Sequence, residues 1–183
     1  MDTLIECVPN FSEGRDRARV AEIVRAISDG PDVVVLDVHS DPDHNRSVVT
    51  FVASRERVGE AALRSIGRAV ELIDLRKHRG CHPRIGATDV VPFVPLEGVS
   101  LADCVEVARE VGEEAFRRFQ LPVYLYGAAA RRSDRKRLEV VRRGQFELLR
   151  KEIETNPARC PDYGPAKLHP TAGATAVGAR KFL

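Results

Sequence analysis

The order of strand-like and helix-like segments predicts an α+β fold. It is a ferredoxin-like βαββαβ-type α/β sandwich, one mixed sheet with helices on one face. Three observations carry the prediction. Two β-branched runs, DVVVLDV at 32–38 and RSVVTFVAS at 46–54, follow one another with only the polar, turn-like HSDPDHN between them. Residues 55–74 then place Val58, Ala61, Ala62, Ile66, Ala69, Val70 and Ile73 on one helical stripe. A third apolar run, DVVPFVPL at 89–96, comes after that helix.

The remaining elements fall into place around these. TLIECVPNF at 3–11 reads as a strand that ends at Pro9-Asn10. From about Gly14 to Ser28 the residues Val20, Ile23, Val24 and Ile27 keep helical spacing, with Ser12 as the expected N-cap. The run at 32–38 is almost continuously apolar and is expected to be a central strand. Pro92 points to an edge or a bulge for the run at 89–96. Ser100 and Asp103 resemble a capping box, opening a helix to about Phe119 with Val105, Ala108, Val111 and Ala115 inward. PVYLYG at 122–127 is a strand, and a basic helix is expected over roughly 134–150. The tail, 161–183, is rich in Gly, Pro and Ala, turns strand-like and stops at Leu183. Such a tail either lines a ligand or continues into a further segment. Helices on one face leave the other face of the sheet needing a partner domain, a dimer or a ligand.

With 183 residues, the chain suggests one domain or two small ones. At 43% hydrophobic and 31% charged residues it builds a core and stays soluble. A net charge of +2 gives no reason to expect nucleic acid or a membrane surface as partner. No apolar run approaches the ~20 residues of a membrane helix. MDTLIECVPNFSEG has neither the basic nor the apolar region of a signal peptide, so the expected location is the cytoplasm. Cys7, Cys81, Cys104 and Cys160 are too irregularly spaced for a disulfide framework or a tetrahedral zinc site. GxGxxG, GxxxxGK[ST] and GxSxG are all absent, so nucleotide binding of the usual kinds and the common serine-hydrolase arrangement have no support.

Four stretches could carry chemistry. In GCHPRIGATDVVPF, 80–93, His82 is suited to proton transfer near neutral pH, Pro83 extends the backbone, Gly80 and Gly86 allow close approach to a ligand, and Asp89 could orient the ring. The alternative is a loop histidine bonded to backbone. In DVHSDPDHNRS, 37–47, His39, Asp41, Asp43 and His44 could bind a metal, or Asn45 and Arg46 a carboxylate, or the segment is a solvated hairpin. In CVPNFSEGR, 7–15, Asn10 and Ser12 lie at a strand–helix junction whose N–H groups could hold an anion. The basic run RRSDRKR, 131–137, with Arg142 and Arg143, is either an attractor for an anionic substrate tail or a solvated helix face.

Taken together, ECVPNFSEG, DHNRSVVTFV, LIDLRKHRGCHPRIGATDVVPFVPL, PVYLYGAAA, and DYGP with GATAVGARKFL resemble the N-terminal subdomain of the glutamate formimidoyltransferase family, from Met1 to Leu183. The resemblance implies a transferase that moves a formimidoyl group between N-formimidoylglutamate and tetrahydrofolate in histidine breakdown. It implies two α/β subdomains whose sheets face each other across a folate tunnel, and a dimer. It places the catalytic histidine at His82. It places folate, a substrate here, on Asp162, Tyr163, Gly164, Pro165, Ala166, Lys167, Leu168, His169, Pro170 and Thr171. Asn10, His39, Asn45, Arg46 and Arg84 are the candidates for holding substrate, and no metal is expected. Some family members carry an acid at the position of His39; if that acid orients the catalytic histidine, Asp37, Asp41 or Asp89 could serve here. The C-terminal subdomain is expected from a partner chain or replaced by a homodimer. Two other readings stay open: a non-catalytic folate-binding or assembly module, and an enzyme handling 5-formyltetrahydrofolate.

Overall fold

The computed structural model describes residues 2–182, so the reading attached to Leu183 lies outside the described residues. The first strand is split into β1 (Leu4–Cys7) and β2 (Asn10–Phe11), with Pro9, which has no N–H for the ladder, in the gap. There follow α1 (Arg17–Ser28), the hairpin of β3 (Val33–Asp41) and β4 (Arg46–Ala53), α2 (Arg55–Leu72) and β5 (Thr88–Glu97). Across the sheet these strands run β3, β4, then β1 with β2, then β5, each antiparallel to its neighbour. That is the strand order of the ferredoxin-like pattern. Helix α3 (Leu101–Phe119), β6 (Val123–Gly127) and β7 (Thr175–Ala179) extend it. β7 lies parallel to both β5 and β6 and sits between them. The sheet is therefore mixed, and the strand-like end of the tail becomes an inner strand.

Side-chain alternation sorts the strands' residues between two cores. Val91, Phe93, Val123, Leu125 and Val177 face α1, α2 and α3, together with Ile5, Phe51, Ile66 and Val111. Each large side chain buried there contributes about 1.5–3 kcal/mol. On the opposite face Val90, Tyr124, Tyr126 and Ala176 pack against Val141 of α4 (Leu138–Val141), Leu149 of α5 (Gln145–Glu152) and Ile153. The three long helices thus share one face, while the short α4 and α5 cover half of the other. The expected basic helix over 134–150 is broken because Gly144 and Gln145 both turn left-handed, with φ of 73° and 59°. What precedes the break is a short 3-10 turn, Ser133–Lys136, and α4.

Three further expectations need correction. β3 is an edge strand paired only with β4, not a central one, and Val34 and Leu36 are 46% and 58% exposed. An unbroken apolar run is equally compatible with a strand whose outer face waits for cover. β5 is central despite Pro92. Cys7 pairs with Phe93 and Asn10 with Val90, so Pro92 lies opposite the gap between β1 and β2, where no partner needs its N–H. The N-cap of α1 is Asp16, which accepts from the N–H groups of Ala18 and Arg19, whereas the Ser12 hydroxyl donates to the Gly86 carbonyl at 2.7 Å. The Ser100–Asp103 capping box forms as expected. Cys7 and Cys104 are buried, Cys81 and Cys160 are exposed, and all four are free thiols. Among the described residues no helix is long and apolar enough to cross a membrane.

Candidate functional site

The site is built where the β3–β4 turn meets the loop from α2 to β5. Asn45 takes the left-handed φ of 50° that asparagine tolerates. Its side chain accepts from the Gly14 N–H at 2.9 Å and donates to the Arg79 carbonyl at 3.0 Å. The loop lies flush on this turn: a Cβ on Gly80 would fall 2.3 Å from the His44 carbonyl oxygen. A Cβ on Gly86 would fall 1.7 Å from that of Ala174. Both glycines therefore allow close approach to the protein's own backbone. His78, unremarked in the sequence, is the inner pin. Its Nε2 meets the Asn45 carbonyl and its Nδ1 accepts from Arg84 Nε, both at 3.0 Å. The rest of the Arg84 guanidinium bonds Gln145 and Glu147. Arg84 and Asn45 are thus occupied in holding the loop.

His82 projects from this pinned loop, and Arg46 Nη1 donates to its Nε2. A guanidinium only donates, so Nε2 accepts and the ring proton sits on Nδ1. Burial, then the charges of Arg46 and Arg142, push the His82 pKa down to about 4. The Pro83 backbone opposes this weakly, which for a residue lacking N–H means its carbonyl. At neutral pH His82 is an uncharged proton acceptor, where the sequence suggested a ring titrating near 7. Asp41 is bonded to His44 Nδ1 at 2.6 Å, and the His44 ring meets His82 edge to face with centroids 6.3 Å apart. Asp89 is buried with Oδ1 on the Ile85 N–H at 2.8 Å, and burial pushes its carboxyl up to about 6. The neighbour at Nε2 is thus an arginine, Asp41 meets His82 only through the His44 ring, and Asp89 bonds the Ile85 N–H. Three buried polar atoms here lack hydrogen-bond partners: Arg46 Nε, Asp89 Oδ2 and Arg142 Nε.

Register places His39, Val48, Asn10 and Val90 in one row across the sheet, on the face opposite the long helices. Beyond Val90 the row is covered by α4 and α5; on the side of His39 it is open. Asn10 and His39 therefore share the open face with the start of β4, where Arg46 lies.

The 162–171 stretch divides. Asp162 accepts from the Leu125 N–H at 2.7 Å and from Arg135 at 3.2 Å. Tyr163 packs beside Gly112 of α3 under Arg131, and Gly164 turns against Phe116. These three residues fasten the stretch to β6 and α3. From Pro165 to Thr171 the stretch is half-buried or exposed, with Ala166 and Leu168 packed against the cores, and the Thr171 carbonyl accepts from Leu75 N–H at the root of the His82 loop. His169 caps the turn with Nδ1 on the N–H groups of Thr171 and Ala172.

The other candidates resolve locally. At the start of α1 the N–H groups of Arg15, Asp16, Ala18 and Arg19 are taken by the Glu13 and Asp16 carboxylates, so no anion is called for there. Arg135 of the basic run is buried on Asp162 and two carbonyls, while Arg132 and Arg137 pair with surface acids. Among the described residues no three His, Cys, Asp or Glu side chains converge as a metal site would need.

Fold and site together define a ferredoxin-like domain that presents an uncharged histidine, paired with an arginine, at the rim of a half-covered sheet. The chain belongs to the formiminotransferase family: the model of the formiminotransferase domain, N-terminal subdomain, matches residues 4–180. Glutamate formimidoyltransferase of Streptococcus pyogenes serotype M1 is 46% identical over 184 residues, covering 100% of this chain and 61% of the relative. That of Thermoplasma acidophilum is 48% identical over 183 residues, covering 99% and 60%. Formimidoyltransferase-cyclodeaminase of Rattus norvegicus is 46% identical over 183 residues, covering 100% and 34%. The chain thus spans about three-fifths of the first two relatives and a third of the last.

Proposed function

We propose that this chain is the N-terminal half of an enzyme that transfers a formimidoyl group between N-formimidoyl-L-glutamate and tetrahydrofolate. The observation that carries the reading is the neutral His82, its Nε2 bonded to Arg46 beside an open sheet face. In the transfer a folate nitrogen attacks the amidine carbon and loses a proton, and the glutamate nitrogen leaves and gains one. Once an anionic substrate draws Arg46 off Nε2, the neutral imidazole takes the first proton there and returns it to the departing nitrogen, a role worth about 10²–10⁴ in rate. An anionic substrate offsets the cations around the ring and so raises its basicity in the complex. Pro165 to Thr171 offer the folate surface, and a C-terminal subdomain covers the open half of the sheet over Asn10 and His39. The names of the relatives support the reaction type, and their greater length supports the second half.

The test is a titration of tetrahydrofolate into this chain, alone and joined to a relative's C-terminal half, followed by N-formimidoyl-L-glutamate. Formimidoyl-folate formed by the joined protein is the expected result. Absence of product from both would remove the reading.

A further inference from the structure

An open cleft of about 480 Å³ adjoins the His82 loop, lined by Pro83, Leu138, Glu139, Arg142, Gly144 and Gln145. A volume of this size takes a small dicarboxylate. The cation among these residues is Arg142, and the Glu139 carboxylate in the same wall is bonded to Arg137 at 2.7 Å. Arg142 is held but not satisfied. Its Nη1 lies 3.5 Å from the Pro83 carbonyl and 3.6 Å from Asp89 Oδ2, both long, and its buried Nε has no partner. Asp89 beneath it is only 2% exposed and also keeps one oxygen unpartnered. The Arg142 side chain is 18% exposed, and a guanidinium steered by a buried carboxylate with exposed donors besides its buried Nε is a site prepared for a second anion in the cleft.

We propose that Arg142 binds a carboxylate of the glutamyl group of a substrate, and that Asp89 is a positioning residue that aims it into the cleft. This rests on the transfer reading only for the identity of the carboxylate, which both formimidoylglutamate and the glutamyl end of folate carry. The clamp sits on the α4–α5 turn, immediately beyond the residue that follows His82. An anion there fixes one end of the substrate while the amidine lies at the ring.

The test is calorimetric titration of this chain with two probes, N-formyl-L-glutamate for the small substrate and p-aminobenzoyl-L-glutamate for the folate end. Arg142→Gln should weaken one of them roughly ten- to hundredfold, the range of a lost charge-assisted hydrogen bond. The probe affected identifies the source. Arg142→Lys, which keeps the charge and guards against misfolding, should recover part of the loss. Asp89→Asn should weaken the same probe in the wild type and have no further effect in the Arg142→Gln background, a non-additivity that a merely structural role would not give. Failure of both probes to bind, or equal binding by wild type and Arg142→Gln, overturns the proposal and leaves the His82 reading standing. Arg142-dependent binding without any formimidoyl-folate from the joined protein keeps the clamp and removes the transfer reading.

Discussion

A histidine that accepts a proton at neutral pH must be uncharged there, and burial with two guanidiniums secures this for His82. Arg46→Gln should therefore raise the midpoint of His82 from about 4 toward 6.5, read from ring-proton NMR shifts across a pH series. An unmoved midpoint would mean that burial and Arg142 depress it without Arg46. The folded ring resists protonation, so the stability linked to His82 is present above 6.5 and is lost as pH falls through about 4. Asp89 acts with the opposite sign. Its carboxyl is raised from 3.8 to about 6, so the folded state holds its proton more tightly and loses that advantage as pH rises between those values. Relative to wild type, Asp89→Asn should gain stability from pH 4 to pH 6 and then hold a constant margin. Thermal unfolding measures it, and a margin independent of pH would show that Asp89 is ionised throughout.

At the scale of elements, what was legible in the sequence was what short spacing decides. The stripe of α2 repeats every turn and the Ser100–Asp103 box lies within one, and both form as read. The start of α1 did not, because Ser12 and Asp16 both precede it and only the tertiary bond from Ser12 to Gly86 separates them. Asp16→Ala should cost about 1 kcal/mol by chemical denaturation, the usual loss of a cap, whereas a cost near zero would mean that Glu13 alone holds the turn. His82 was visible as a residue but its environment was not. Arg46 is 36 positions away, and Arg142 reaches Asp89 only because Gly144 ends a helix that the basic composition extends. The edge position of β3 was hidden for a related reason: hydrophobicity records that a face is to be covered, not by what.

The whole molecule is asymmetric. α4 and α5 close one half of the outer sheet face, and β3, β4 and β1 leave the other half open with Val34 and Leu36 in solvent. A second subdomain supplied as a separate chain should bind there. Val34→Asp with Leu36→Asp should weaken that association at least about tenfold while leaving the melting temperature of this chain nearly unchanged, because both side chains are already exposed. Unweakened association would move the partner to another surface. The most direct test of a His82-centred transfer is the rate of formimidoyl-folate formation by this chain joined to a C-terminal half, wild type against His82→Ala, at saturating substrates. A fall of about 10²–10⁴ with little change in KM is the expected result. A variant that keeps the wild-type rate would contradict it and return His82 to a structural role in the loop.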